Sequence, residues 1–429
     1  MPAGAGPAHF EVQDLPGGAQ LVTVPLAGRA SVALAFMLGV GSRYEAAEDS
    51  GISHFVEHML FKGSERYPSA RSISETIEGV GGIIDAATDR ESTAFWTRVP
   101  AAELERGLAV LADMLVRPLL AEEDVVKERH VVIEELRMYQ DSPQDHAQTV
   151  FDEVMWPGHP LGRDIAGSEE TVRGFTPERC RAHMTEHVRP DALVVSVAGA
   201  VDGPAVRDLL ERQLGEWLAP PPQQRPAPLP ATEPDGDAHR LVRRQVEQAS
   251  VILGARAPSY LHPDRFVVDI LNVVLGEGMS SRLFLELRER RGLVYDVHSF
   301  VNRVRDSGVF GVGFGTEPRR AATALRAAVT ELRRLAERAP EENEMHKARE
   351  YAKGRLLLHL EGTSALCEYA GQQLLLTGGI LPPEEIQRRY DEVSGADVQR
   401  AAAAVLGAGL RLAVVGPFRS PDRFSAALS

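Results

Sequence analysis

"GISHFVEHMLFKG", residues 51–63, places two histidines and a glutamate within five consecutive positions. On a helix, at 100° per residue, His54 and His58 sit one turn apart and Glu57 falls on the same side. Two imidazoles at i and i+4 can grip one metal ion, and an adjacent carboxylate can reach a water in the open coordination position. This is the zinc-protease helix HExxH with its order inverted, the glutamate preceding the second histidine. The chain has 13 histidines and 61 acidic residues in 429. Random order would produce the pattern about 0.06 times, so chance is a poor account of it.

A catalytic zinc needs a third protein ligand, commonly a carboxylate when two are histidines. The stretch "EEDVVKERHVVIEELRMYQ", 122–140, is the natural source. Its apolar positions Val125, Val126, Val132, Ile133 and Leu136 follow helical spacing. Glu128 and Glu135 are two turns apart and share a face, whereas Glu134 points about 100° away from Glu135. Any one of these glutamates taken alone reads as part of a solvated acidic face.

Further out, "LAPPPQQRPAPLPATEPDGD", 218–237, is too rich in proline for helix or central strand and reads as a semi-rigid connector. It separates an N-terminal domain, 1–217, from a C-terminal domain, 238–429. The two share an order of elements. "ASVALAFMLGV" (30–40) and "ASVILGARAPS" (249–259) read as strands. The first is followed by helices at about 49–62 and 69–79 and a glycine-marked strand at 81–100. The second is followed by one long helix at about 263–291 and paired strands within 292–316. A helix then follows in each half, 101–115 or 319–335. The repeated order points to an internal duplication.

Composition narrows the function classes. A net charge of −14 opposes nucleic-acid binding, which needs a basic face, and would suit basic peptides. Cys180 and Cys367 are the only cysteines, which excludes a disulfide scaffold and suggests a reducing compartment. The start of the chain does not read as a secretory signal. The longest apolar stretch, near 192–201, falls short of a membrane span. The expectation is a soluble, cytoplasmic protein.

"HFVEHMLFKGSERYP" followed by "KERHVVIEELRMYQDSP" resembles the pitrilysin, insulysin and mitochondrial-processing-peptidase family of inverted-zincin metalloproteases. That family pairs HxxEH with a distal glutamate and with another essential glutamate two turns before it. The resemblance implies His54, His58 and Glu135 as ligands of one Zn²⁺ per chain, Glu135 lying 77 positions after His58. It implies Glu57 as general base and Glu128 as the second essential glutamate. "GGIIDAATDRESTAFW" (81–96) resembles the family's active-site strand, whose edge pairs with substrate backbone. Asp85 stands there in place of the usual asparagine, which removes the basis for an amide-specific hydrogen bond. "LGEGMSSRLFLELRERRGLVYDVHS" (275–299) resembles the second-half signature, in which an arginine and a tyrosine, here Arg288 and Tyr295, stabilise the reacting carbonyl. No second HxxEH follows, so the C-terminal half should hold no metal, and His298 reads as a strand residue.

The resemblance implies an α+β protein of two homologous domains, each a β-sheet backed by helices (the LuxS/MPP-like metallohydrolase fold). The family closes four such domains into a clamshell, so a chain with two is expected to form a homodimer, or a heterodimer with a related subunit. The implied activity is zinc-dependent endopeptidase action on peptides or unfolded polypeptides. A non-catalytic subunit and a peptide-binding module are the alternatives.

Overall fold

The computed structural model describes residues 9–223, 227–231 and 238–424. It contains two sheets. The first is built from β1 (Glu11–Asp14), β2 (Gln20–Pro25), β3 (Ser31–Leu38), β4 (Ile83–Thr88), β5 (Thr93–Pro100) and β6 (Leu193–Gly199), in the order β1-β2-β6-β3-β5-β4. The second is built from β7 (His239–Arg243), β8 (Ala249–Ala257), β9 (Asp296–Arg303), β10 (Gly308–Thr316) and β11 (Arg411–Gly416), in the order β7-β11-β8-β10-β9. Leaving β1 aside, the two orders superpose strand for strand. The parallel pair β2/β6 corresponds to β7/β11, and every other pairing in both is antiparallel. The matching register pattern is what a duplication leaves behind.

The first half supplies helices α1 (Ile52–Leu60), α2 (Ala70–Glu78), α3 (Leu104–Val116), α4 (Glu122–Asp141), α5 (Pro143–Met155), α6 (Glu169–Arg173), α7 (Pro177–His187) and α8 (Gly203–Leu214). The second supplies α9 (Arg265–Gly276), α10 (Ala321–Glu337), α11 (Glu342–His359), α12 (Thr363–Thr377), α13 (Pro383–Glu392) and α14 (Gly395–Gly407). Two sequence expectations are corrected. The stretch 81–100 is a hairpin, β4 and β5, not one strand; its turn, Asp89–Ser92, is closed by Asp89 N–H donating to the Ser92 carbonyl. The helix expected over 263–291 is interrupted after Gly276 and resumes as a π-helical segment, Phe284–Arg290.

The contacts gather the described residues into two compact units. Unit 1 takes 9–136, 164–229 and 358–382; unit 2 takes 137–163, 230–357 and 383–424. The passage at 229–230 lies inside the proline-rich segment, but each unit also takes one stretch from the other half, so neither is contiguous in sequence. The physical reason is burial. α5 turns Ala147, Val150, Phe151 and Met155 into a cluster with Ile252, Val309, Ala413 and Val415 of the second sheet. α12 lies on β3 and β6 of the first sheet, where the Ser196 hydroxyl donates to the Cys367 carbonyl at 2.7 Å. Gly371 permits that approach, since a Cβ there would stand 2.6 Å from the Met37 sulfur.

Candidate metal centre

α1 is fixed from its first residue. Gly51, with φ of +92°, turns the chain in, and a Cβ there would lie 2.4 Å from the Ala166 carbonyl oxygen. The buried Glu45 carboxylate then accepts from the N–H groups of Gly51 at 2.7 Å and Ser53 at 2.8 Å, an anion placed where a helix start favours one. Ile52, Phe55, Val56, Met59 and Leu60 enter the core of unit 1. The histidines occupy the opposite face, as the spacing predicts. α4 behaves the same way: Val125, Val132, Ile133 and Leu136 are buried in that core, Glu134 is exposed, and Glu135 is half-buried.

The two helices bring three donor atoms together. His54 Nε2 and His58 Nε2 are 3.2 Å apart. Glu135 Oε2 is 3.8 Å from the first and 3.6 Å from the second. One ligand atom from each of the three residues lies within 4.8 Å of the others, and no other such group occurs among the described residues. Facing ring nitrogens suit one ring donating to the other or both addressing one cation; the carboxylate oxygen at similar range favours the cation. Tetrahedral zinc with ligand bonds of about 2.0–2.1 Å separates ligand atoms by about 3.3 Å, so the donor set fits zinc with a small closing movement.

The surroundings tune each group. His58 Nδ1 meets Glu128 Oε1 at 2.8 Å, and Lys62 Nζ meets Glu128 Oε2 at 2.5 Å. Burial opposes the charge on Glu128, but His58 and Lys62 outweigh it and hold the carboxyl below its ordinary range. Burial also opposes a charge on His58, yet Glu128, Glu135 and Glu57 raise its pKa. Burial, and then His58 beside it, lower His54 to about 4, so its ring is neutral at pH 7 and offers a lone pair. Glu57 is 8% exposed, and burial raises its pKa against the Thr88 hydroxyl, which donates to Oε2 at 2.6 Å. A carboxylate moved upward in this way is better suited to hold a proton in mid-reaction.

All five unit 1 residues expected from sequence, His54, Glu57, His58, Glu128 and Glu135, meet here. Arg288 and Tyr295 belong to unit 2 and meet each other. The Arg288 guanidinium lies 5.0 Å from the Tyr295 ring centre and 4.7 Å from that of Phe284, and Tyr295 is 75% exposed. Arg288 sits in the π-helical segment, a rare setting that tends to accompany function, and Tyr295 lies outside it, just before β9. His298 stands on β9 beside Asp296, 3.4 Å away. Asp85 is exposed on β4 and accepts from the Ala86 N–H at 2.9 Å. Thr88 and Lys62 are the residues the sequence reading missed. Lys62 lies one turn beyond His58 and could have been found by the same spacing; Thr88 carries no signal of its own.

The chain is similar to known proteins along most of its length. Residues 22–169 match the family model described as Insulinase (Peptidase family M16), and residues 174–351 the one described as Peptidase M16 inactive domain. A protein of Streptomyces coelicolor named as an uncharacterized zinc protease is 36% identical over 94% of this chain and 89% of its own length. The Bacillus subtilis zinc protease YmxG, also named uncharacterized, is 33% identical over 90% of this chain and 93% of its own. The crystal structure of a protease from Helicobacter pylori shares the fold with a TM-score of 0.90, at 24% identity, covering 96% of this chain and 100% of that one. Among the described residues no helix is long and apolar enough to cross a membrane. The chain belongs to peptidase family M16, in the short bacterial form that these relatives share.

Proposed function

We propose that this chain is a zinc-dependent endopeptidase that hydrolyses peptides or unfolded polypeptides, with one zinc per chain. The observation that carries the reading is the convergence of His54, His58 and Glu135 beside a buried carboxylate, Glu57. The two histidines and Glu135 would hold the ion, which when bound supplies a Lewis acid that acidifies water and polarises a carbonyl. Glu57 takes the proton of the attacking water and returns it to the leaving amine. The Thr88 hydroxyl orients Glu57, and Glu128 fixes the His58 ring through Nδ1 so that Nε2 faces inward. Arg288 and Tyr295 donate to the developing oxyanion of the substrate, a role often worth about 3–4 kcal/mol. Two copies of the chain would form the closed chamber, each copy's Arg288 and Tyr295 serving a zinc site.

The test is elemental analysis together with a quenched fluorescent peptide. Zinc at one equivalent, with cleavage lost to a chelator and restored by Zn²⁺, is the expected result. Purified protein that binds no zinc would overturn the reading. Zinc-loaded protein that cuts only after a related subunit is added would replace the homodimer with a heterodimer.

A further inference from the structure

The hydroxyl that orients Glu57 sits at the end of an edge strand. Thr88, which donates to Glu57 Oε2 at 2.6 Å, is the last residue of β4, and β4 is the outermost strand of the first sheet. An edge strand has a ladder on one side only. Thr88 is paired with Thr93 of β5, so its place depends on how the β4–β5 turn is anchored.

The anchor is the segment 40–45. The Thr93 hydroxyl donates to the Val40 carbonyl at 3.0 Å. The Ser42 N–H donates to the Asp89 carbonyl at 3.2 Å, and the Arg43 N–H to the Arg90 carbonyl at 2.9 Å. Gly41 permits that approach, since a Cβ there would stand 2.0 Å from the Asp89 carbonyl oxygen. The Arg43 side chain then turns inward. Its Nη1 donates to Glu91 Oε1 at 2.6 Å and its Nη2 to the Leu229 carbonyl at 2.7 Å. Two residues on, Glu45 accepts from the Gly51 and Ser53 N–H groups at the start of α1. One short segment therefore grips both the turn beside Thr88 and the helix that carries Glu57.

The ion pair in this grip is a costly way to fill space. Arg43 is 2% exposed and Glu91 5%. Two buried charges carry a large desolvation cost, and an apolar pair of similar volume often holds a fold as well. What a guanidinium adds is direction, because its rigid fork aims separate donors at separate acceptors.

We propose that Arg43 is a positioning residue for proton transfer: through Glu91 and the β4–β5 turn it sets Thr88 against Glu57. The assignment rests on the endopeptidase reading for its kinetic consequence, but not for the anchoring of the hairpin.

The experiment joins a double-mutant cycle, on full-length zinc-loaded protein and the quenched fluorescent peptide, to hydrogen–deuterium exchange. Arg43→Met should keep one zinc per chain and change KM by less than about twofold, while kcat falls by about 100-fold, the cost of about 1 Å of misplacement. Arg43→Lys keeps the charge without the fork and should show a smaller loss of the same kind; it is the variant read if the methionine protein does not fold. In a Thr88→Val background either substitution should lower kcat by no more than about a further twofold, because the contact it acts through is already gone. Amides of 83–93 should exchange faster in both Arg43 variants and those of 122–141 as before. Full multiplication of the Arg43 and Thr88 effects, zinc lost in step with kcat in Arg43→Lys, or unchanged exchange at 83–93 would each overturn the positioning role. Unsubstituted, zinc-loaded protein that cleaves nothing would instead overturn the endopeptidase reading, and faster exchange at 83–93 would still show Arg43 anchoring the hairpin.

Discussion

The two sheets of this protein are the same scaffold used twice, and among the described residues only one is backed by helices that gather a metal-ligand group. Behind β3 comes α1, with His54, Glu57 and His58 on its open face. Behind β8 comes α9, "RFVVDILNVVLG", whose buried face is valine, isoleucine and leucine and which has no histidine. Behind β5 the long helix α4 contributes Glu128 and Glu135, one to the ring nitrogen of His58 and one to the ligand cluster. Its counterpart behind β10, α11, follows α10 and contributes no ligand group. Unit 2 instead sets the half-buried Arg288 of its π-helical segment against the exposed Tyr295, just before β9. Strand order is therefore no guide to activity. A handful of side chains on two helices separates the units, as expected when function is grafted onto a shared fold.

Several substitutions would break or sharpen that contrast. The largest effect is expected at His58. His58→Ala removes a ligand and leaves Glu128 without its ring partner, so zinc content and turnover should both fall to background by elemental and peptide assays. His298→Ala in unit 2 should leave zinc at one equivalent. If His298→Ala loses metal instead, the units share the ion and the contrast fails.

Next comes the division of labour between units. Glu57→Gln and Tyr295→Phe should each be inactive alone. After subunit exchange, half the dimers are mixed and half of their sites are intact, so activity should return to about a quarter of the unsubstituted level. With exchange verified by mass, no recovery would mean that the second-half residues do not serve the partner's zinc.

Glu128→Gln should weaken zinc binding by about 10- to 100-fold, the usual cost of removing a partner that orients a ligand. Glu134→Gln should change it little, because that side chain is exposed. Comparable losses at both would place the inward face of α4 elsewhere.

The smallest effect is on stability. Burial, with His187 beside it, lowers the buried His183 to about 3, whereas an unfolded histidine titrates near about 6.5. The unfolded chain therefore takes the proton first. Stability is fully present above about pH 6.5 and is lost as pH falls from there toward 3, at no more than about 1.4 kcal/mol per pH unit. Urea unfolding of zinc-free protein at pH 7 and pH 5 should show this loss, reduced in His183→Gln. An unchanged slope in that variant would assign the acid sensitivity to other groups.

Much of this was legible in sequence because it is local. His54, Glu57 and His58 lie within one turn, and Glu128 and Glu135 within two, so helical periodicity alone aligns them. What was not legible is of two kinds. Breaks without glycine or proline leave little trace: the β4–β5 turn is "DRES", and a continuous strand was the natural reading. Choice of partner leaves less. α5 and α12 show apolar faces, but periodicity does not say which sheet covers a face, and each settles on a sheet drawn from the opposite half of the chain. The Thr88–Glu57 hydrogen bond spans 31 positions and emerges only once β4 is laid beside α1.

The central claim is that metal binding, by His54 and His58 of α1 with Glu135 of α4, and proton transfer, by Glu57 of α1, are performed by different residues of unit 1. Glu57→Gln tests it most directly, because the amide keeps the shape and cannot take the proton. Zinc content and kcat are measured on the same purified sample. The account predicts one zinc per chain, with kcat lowered by about 10²- to 10⁴-fold. Full zinc with undiminished kcat would contradict it.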